Sequence, residues 1–374
     1  MKTYYFDHSA STPPYESVIR TVAELMTEHY ANPSALHRAG TEAGKLVERA
    51  RSAVAALFGA TPGEVVFTSG GTESNNLAMK GILGHTGRKG KHLVTTAIEH
   101  SSVHATAKQL EREGVRVTYL MPDAQGRIAP ADVAAAITED TALVSVMHVN
   151  NETGALQPIE AIGELLRRHP RIRFHVDGVQ AVGKVPFEWT RSRVDLYSAS
   201  AHKFRGPRGA GYLLVREGLK LRPLLAGGGQ ESDVRSGTHN LPGIVGMAQA
   251  LRLALESMPE RRARMYELRR RLIDALKDMP ELVLNSPEDA AVASPQIVNL
   301  SYPGMRPEVL LHMLEEHGVL VSTQSACSSK SLKPSRVLMA MGLGEARGGP
   351  AASGSASETS IRPEISIRWP SGCG

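Results

Sequence analysis

A lysine flanked by hydroxyl groups stands in Ser198-Ala-Ser-Ala-His-Lys203, and a glycine-rich turn, Gly206-Pro-Arg-Gly209, follows it. An amine in that setting can form a Schiff base with an aldehyde while the hydroxyls and backbone N–H groups hold a phosphate. Upstream, His175-Val-Asp177 puts a carboxylate at the end of a short apolar run, where it can pair with a protonated heterocyclic nitrogen. Taken singly, Lys203 reads as a surface lysine and Asp177 as a helix cap. Together, at the ends of nearby strands, they look like the two anchors of pyridoxal phosphate.

Three further segments carry groups able to act beside such a pair. Thr68-Ser-Gly-Gly-Thr-Glu-Ser-Asn75 brings glycines, hydroxyls and free N–H groups to the start of a helix, a ready anion site. Glu99-His100 places an imidazole after a strand, where it can stack on an aromatic ring and shuttle a proton. Cys327 lies in Ser322-Thr-Gln-Ser-Ala-Cys-Ser-Ser329, a small polar segment in which a thiol can ionise, unlike a thiol buried among aliphatics.

The elements that must position these groups are legible as a rhythm. Strands are expected at 64–68, 92–96, 115–120, 142–149, 173–176 and 196–200, and helices at 42–58, 102–113 and 131–137. Alternating strands and helices argue for a mostly parallel α/β sheet, whose ligands bind at the carboxyl ends of the strands. One long charged helix over about 243–278 is expected to lead to a smaller α/β unit containing a strand at 298–301 and a helix at 309–316. The expected organisation is an N-terminal segment 1–14 packing on the small domain, a large domain 15–255, a small domain 256–346 and a tail 347–374.

Composition bounds the function classes. With 41% hydrophobic and 22% charged residues the chain is an ordinary globular protein rather than a disordered one. Its apolar runs, such as 143–149, are too short to span a bilayer, and the N-terminus lacks a basic-then-apolar signal, so a cytoplasmic protein without membrane contact is expected. The net charge of +5 comes from bases interleaved with acids, as in Glu260-Arg-Arg-Ala-Arg264, which argues against direct nucleic-acid binding. The two cysteines, Cys327 and Cys373, form neither a disulfide framework nor a metal motif.

The segments Phe67-Thr-Ser-Gly-Gly-Thr-Glu-Ser74, Glu99-His100, Met147-His-Val-Asn-Asn-Glu152, His175-Val-Asp177, Ala201-His-Lys203, Arg235-Ser-Gly-Thr238 and Ser325-Ala-Cys327 resemble, in order, those of cysteine desulfurases of the NifS and IscS kind. The resemblance implies a fold-type I pyridoxal-phosphate enzyme, with a large domain built on a mostly parallel seven-stranded sheet and a smaller α/β domain. It implies Lys203 as the Schiff-base lysine, Asp177 at the pyridine nitrogen, His100 stacked on the ring, and Asn151 and Gln180 near the ring hydroxyl. Gly71, Thr72, Ser200 and His202 would hold the phosphate, joined by Thr238 from the neighbouring subunit of a homodimer.

The implied reaction removes sulfur from L-cysteine. Lys203 takes the Cα proton, His100 assists, and the Cys327 thiolate accepts the sulfur as a persulfide while L-alanine leaves. The sulfur then passes to an iron–sulfur scaffold protein or a tRNA thiouridylase. No metal is expected beyond transient ligation of a cluster by Cys327. A selenocysteine lyase or an aminotransferase would show similar cofactor residues, and Cys327 separates the aminotransferase from the other two. A catalytically impaired scaffold-binding homologue is the third reading.

The tail departs from this pattern. Where the family has a motif like Ser-Ile-Arg-Ile-Ser-Leu-Gly, whose arginine holds the substrate carboxylate, the chain reads Ala351-Ala-Ser-Gly-Ser-Ala-Ser357. GC-rich codons for the expected motif, read one base out of frame, give those seven residues. We therefore expect a frameshift between 347 and 350, with out-of-frame text after it, no evolved role for Trp369 or Cys373, and no final helix. Arg362 and Arg368, each preceded by Ser-Ile, are the candidates for the carboxylate, with Arg362 preferred; Asn151 is the other substrate-binding residue expected.

Overall fold

A computed structural model describes residues 2–84, 92–305, 307–323, 335–343 and 364–368, the last as backbone. In chain order the elements are β1 (Tyr4–Tyr5), α1 (Glu16–Glu28), α2 (Arg38–Phe58), β2 (Val65–Thr68), α3 (Gly71–Leu83), β3 (His92–Thr96), α4 (Ser101–Arg112) and β4 (Arg116–Leu120). They continue with α5 (Pro130–Ala136), β5 (Thr141–Met147), α6 (Ile159–Leu166), β6 (Arg173–Asp177), β7 (Leu196–Ser200), β8 (Gly211–Val215), α7 (Leu241–Glu256) and α8 (Met258–Leu276). The last are β9 (Val283–Leu284), β10 (Ile297–Ser301), α9 (Pro307–Glu316), β11 (Val319–Leu320), α10 (Arg336–Ala340) and β12 (Glu364–Arg368).

Seven strands form one sheet in the order β2-β8-β7-β6-β5-β3-β4, parallel throughout except for β8, which runs against both its neighbours. Side chains alternate between its faces as the pleat requires. Val65, Phe67, Val144, Val146, Tyr212 and Leu214 pack with α2, α6 and α7 on one face, while Val66, Leu213 and Val215 pack with α3 on the other. Further along that second face Leu93 and Leu143 meet Val103, Ala107 and Leu110 of α4. Burial on both sides explains why the strands read as continuous apolar runs, and each fully buried side chain contributes roughly 1.5–3 kcal/mol.

The long helix expected over 243–278 is two helices. α7 ends at Glu256 and, after the cap residue Ser257, α8 starts at Met258 with Pro259 in its first turn, where a proline has no N–H to donate and suits a helix start. α7 is buried against the large sheet through Leu241, Ile244, Met247 and Leu251, whereas α8 is mostly exposed. β8, which the rhythm of strands and helices did not indicate, lies between β2 and β7 and joins the edge strand β2 to the sheet.

Beyond α8, β9, β10 and β12 form a second, antiparallel sheet. Tyr4 and Tyr5 of β1 pair in parallel with Val319 and Leu320 of β11, tying the start of the chain to this smaller unit. The result is the architecture expected from the sequence, a fold-type I arrangement with a large mostly parallel sheet and a smaller α/β part.

Candidate active site

The carboxyl ends of β2, β5, β6 and β7 meet in one cavity of about 410 Å³, within the range of about 300–1,000 Å³ usual for small-molecule sites. Of the residues singled out in the sequence, Gly71, Thr72, His100, Asn151, Asp177, Gln180, Ser200, His202 and Lys203 all line it. Thr238 does not: it is exposed, on the segment before α7. Cys327 and Arg362 lie outside the described residues, and Arg368 is the last residue of β12, paired with Ile297 of β10.

Local structure explains each placement. β2 ends at Thr68, and the chain turns through Gly70 at φ 149°, a backbone region that a side chain disfavours, before α3 begins at Gly71. A Cβ on Gly71 would come within 2.6 Å of Val179 Cγ2, so only glycine lets this helix end approach the cavity floor. The first N–H groups of α3 have no partner inside the helix and point the positive end of its dipole at the cavity. Glu73 in that turn is held by the Ser69 N–H at 2.7 Å and by Arg235 at 2.7 Å. Burial alone would raise its pKa, but these two partners bring it below the usual carboxylate range.

Lys203 follows β7 on a single tight turn, Ala201–Lys203. Its Nζ donates to the carbonyls of Ser9 and Ala10, the latter at 3.0 Å, so the N-terminal segment forms part of the cavity wall. Thr12 secures that segment by donating to the His202 carbonyl at 2.7 Å through its hydroxyl. His202 is neutral: burial first, then Lys203, Lys184 and Arg208, lower its pKa to about 4.

Asp177 ends β6, is buried, and receives the Asn75 Nδ2 at 2.7 Å and the Val179 N–H at 3.0 Å. His100 caps α4 by accepting the Ser102 N–H at 3.2 Å. Its pKa is lowered by burial, opposed by Asp177 and reinforced by Lys203 and Arg336. Glu99 beside it is fully buried, with one oxygen held by Thr96 at 2.8 Å and Met147 N at 2.9 Å, and burial raises its pKa to about 8.

Sequence reasoning passed over three contributors. Asn75, read only as part of a glycine turn, orients Asp177. Arg208 is the one arginine lining the cavity among the described residues, and the Gly-Pro-Arg-Gly turn was its signal. Lys184 is buried, its pKa lowered to about 7 by burial and by the charges of Lys203 and Arg261; nothing local in the sequence marks it.

A planar, phosphorylated pyridine aldehyde fits this donor set. The cavity offers a helix N-terminus for a dianion, a buried carboxylate for a ring nitrogen and an amine for an aldehyde. Gln180 Oε1 is buried without a hydrogen-bond partner while its Nε2 is spent on the Ser9 carbonyl at 3.2 Å. An orphaned polar atom in a cavity wall marks a position for a ligand group.

The fold and this cavity define a class, that of aminotransferase-like enzymes. Comparison with known proteins agrees. The family model described as aminotransferase class-V matches residues 4–347. Cysteine desulfurase IscS of Clostridium botulinum (strain Hall) is 44% identical over 343 residues, covering 91% of this chain and 86% of that protein. The putative cysteine desulfurase IscS 1 of Bacillus subtilis (strain 168) is 42% identical over 341 residues, 91% and 89% of the two chains. Among solved structures, a NifS-like protein superposes with a TM-score of 0.88 at 34% identity, covering 99% and 94%. The structure titled SspA in complex with cysteine gives 0.82 at 35% identity, covering 98% and 99%. The chain belongs to the class-V aminotransferase family, among relatives of the IscS and NifS kind.

Proposed function

We propose that the chain is a cysteine desulfurase that moves the sulfur of L-cysteine onto Cys327. The observation that carries this reading is the single cavity uniting Lys203, Asp177, His100 and the α3 N-terminus, in a fold whose relative SspA was solved with cysteine. Pyridoxal phosphate held there supplies an electron sink for charge developed at the substrate Cα. Gly71, Thr72, Ser200 and His202 would hold its phosphate, Asp177 its ring nitrogen, and Asn151 and Gln180 its ring hydroxyl. Thr238, exposed and outside the cavity of its own chain, fits a role in the cavity of a second copy, which makes the working unit a homodimer.

Lys203 would hold the aldehyde of the cofactor and, as a free amine, would take and hold the proton from the substrate Cα. The Cys327 thiolate attacks the substrate sulfur; the S–S bond forms as the substrate Cβ–S bond breaks, leaving a Cys327 persulfide and L-alanine after reprotonation. The persulfide sulfur then serves an iron–sulfur scaffold protein or a tRNA-thiolating enzyme. Among the described residues no cluster suited to a metal ion occurs and no helix is long and apolar enough to cross a membrane; a cytoplasmic location is part of the proposal.

The domain division at about residue 255 and the out-of-frame reading of 347–374 belong to the same proposal. The family match stops at residue 347, where the composition changes. That observation favours a second reading, a homologue that binds the cofactor but captures the substrate carboxylate poorly. The purified protein should absorb at roughly 390–420 nm as a pyridoxal aldimine does, and borohydride should trap the cofactor on the Lys203 peptide. Colourless protein with no trapped peptide would refute the cofactor assignment. Trapped cofactor without alanine from L-cysteine would favour the second reading.

A further inference from the structure

Four polar side chains form a continuous hydrogen-bonded line beneath the cavity. Asn75 Nδ2 lies 2.7 Å from Asp177 Oδ2 and 2.9 Å from Ser102 Oγ. Ser102 Oγ lies 2.8 Å from His100 Nδ1, and the Ser102 N–H donates to the same nitrogen at 3.2 Å. All four residues border the cavity.

The direction of every bond in this line is determined. An ionised carboxylate only accepts, so the Asn75 group facing Asp177 is the NH₂ and not the carbonyl. The second amide hydrogen then goes to Ser102 Oγ, and Asn75 Oδ1 is left buried with no partner. The Ser102 backbone N–H can only donate, which makes His100 Nδ1 an acceptor, so the Ser102 hydroxyl, already accepting from Asn75, directs its own hydrogen at that nitrogen. Nδ1 therefore accepts twice, once from a hydroxyl and once from a backbone N–H. A nitrogen that accepts twice carries no proton, so the single proton of the neutral ring is on Nε2.

We propose that Asn75 and Ser102 are positioning residues that lock His100 as the neutral Nε2–H tautomer, making it a stacking platform and hydrogen-bond donor rather than the proton shuttle expected from its sequence context. To accept a proton at Nδ1 the ring would have to turn two donors away, and loss of the Nε2 proton would leave an imidazolate. The charged and titratable groups around the ring are Asp177 from β6, Lys203 and His202 from the turn after β7, and Arg336 from α10. Asp177 alone favours a charged imidazole, and its two oxygens are already engaged by Asn75 and the Val179 N–H. The consequence for the reaction rests on the cofactor reading above; the tautomer does not.

The test is long-range ¹H–¹⁵N correlation spectroscopy of ¹⁵N-histidine-labelled, full-length holoprotein, with the His100 signals identified by their loss in His100→Gln. The expected pattern is a neutral ring protonated on Nε2 from pH 6 to pH 9. Ser102→Ala should raise the protonated fraction of His100 about tenfold at a given pH, shifting its titration by about one unit, and move the acid limb of the kcat profile with little change in KM. Ser102→Thr, which keeps the hydroxyl, should restore the wild-type pattern and guards against a general loss of structure. A proton on Nδ1, or an imidazolium at pH 7 in the wild type, would overturn the proposal. Because the spectrum reports the ring whether or not alanine is formed, failure of the desulfurase reading would leave this result standing.

Discussion

The two ends of the large sheet carry similar polar residues and treat them in opposite ways. At the amino ends of the strands, Asp195 accepts from the Phe174 N–H at 2.8 Å and from Arg193 at 2.6 Å. Arg216 stacks on Trp189 at 3.9 Å and donates to the carbonyls of Trp189, Ser192 and Val194. His92 there is bonded to Thr141 and Thr118, both at 2.9 Å. At the carboxyl ends, Gln180 Oε1 and Asn75 Oδ1 are buried without partners, Glu99 is pushed up to about 8 and His202 down to about 4. A satisfied polar network adds specificity to the fold, whereas orphaned polar atoms lining a cavity mark the end that waits for a ligand.

The contrast can be broken by exchanging the consequences of mutation. Lys203→Ala should abolish borohydride-trapped cofactor and lower alanine formation by about 10³-fold or more, since it removes both the Schiff base and the base, while the melting temperature of cofactor-free protein hardly changes. Asp195→Ala should do the reverse. Removing this buried carboxylate strands Arg193 and the Phe174 N–H and should cost about 3–5 kcal/mol in denaturant titration, with the folded fraction still binding cofactor normally. Equal losses of stability in both variants would erase the distinction.

A smaller effect sharpens it. Burial keeps Glu99 protonated in the fold up to about pH 8, whereas an exposed glutamate ionises near 4.5. Between these values the folded state binds the extra proton, so the stability this group contributes is fully present below 4.5 and is lost as pH rises through about 8. Glu99→Gln keeps the neutral shape and cannot ionise. Wild type and variant should melt alike at pH 5, and the wild type should fall behind by a few kcal/mol, order of magnitude, at pH 8. Parallel pH curves would show that Glu99 is ionised at neutral pH. Smaller again, replacing Arg362 or Arg368 with Ala should raise the KM for L-cysteine more than it lowers kcat for whichever binds the carboxylate.

Much of this end of the molecule was legible because it is built from local signals. The strands at 92–96 and 196–200 emerge with the boundaries read from the sequence, since apolar runs buried on both faces end abruptly in polar residues. The cavity residues follow from the same punctuation, one cluster per strand end. What escaped depends on chain segments far apart in sequence. β8 reverses direction in a parallel sheet, Asn75 gains its meaning only beside Asp177, and Lys184 only from the charges of Lys203 and Arg261. The break between α7 and α8 had a local signal in Pro259, but apolar and charged periodicity runs on through it and was followed instead.

The most direct test of the central claim compares wild type with Cys327→Ala, both loaded with pyridoxal phosphate and given L-cysteine, measuring alanine released and the mass of the peptide at position 327. Wild type should release alanine and show a peptide heavier by one sulfur atom, whereas Cys327→Ala should bind the cofactor yet yield neither. Alanine formed by Cys327→Ala at the wild-type rate would contradict it.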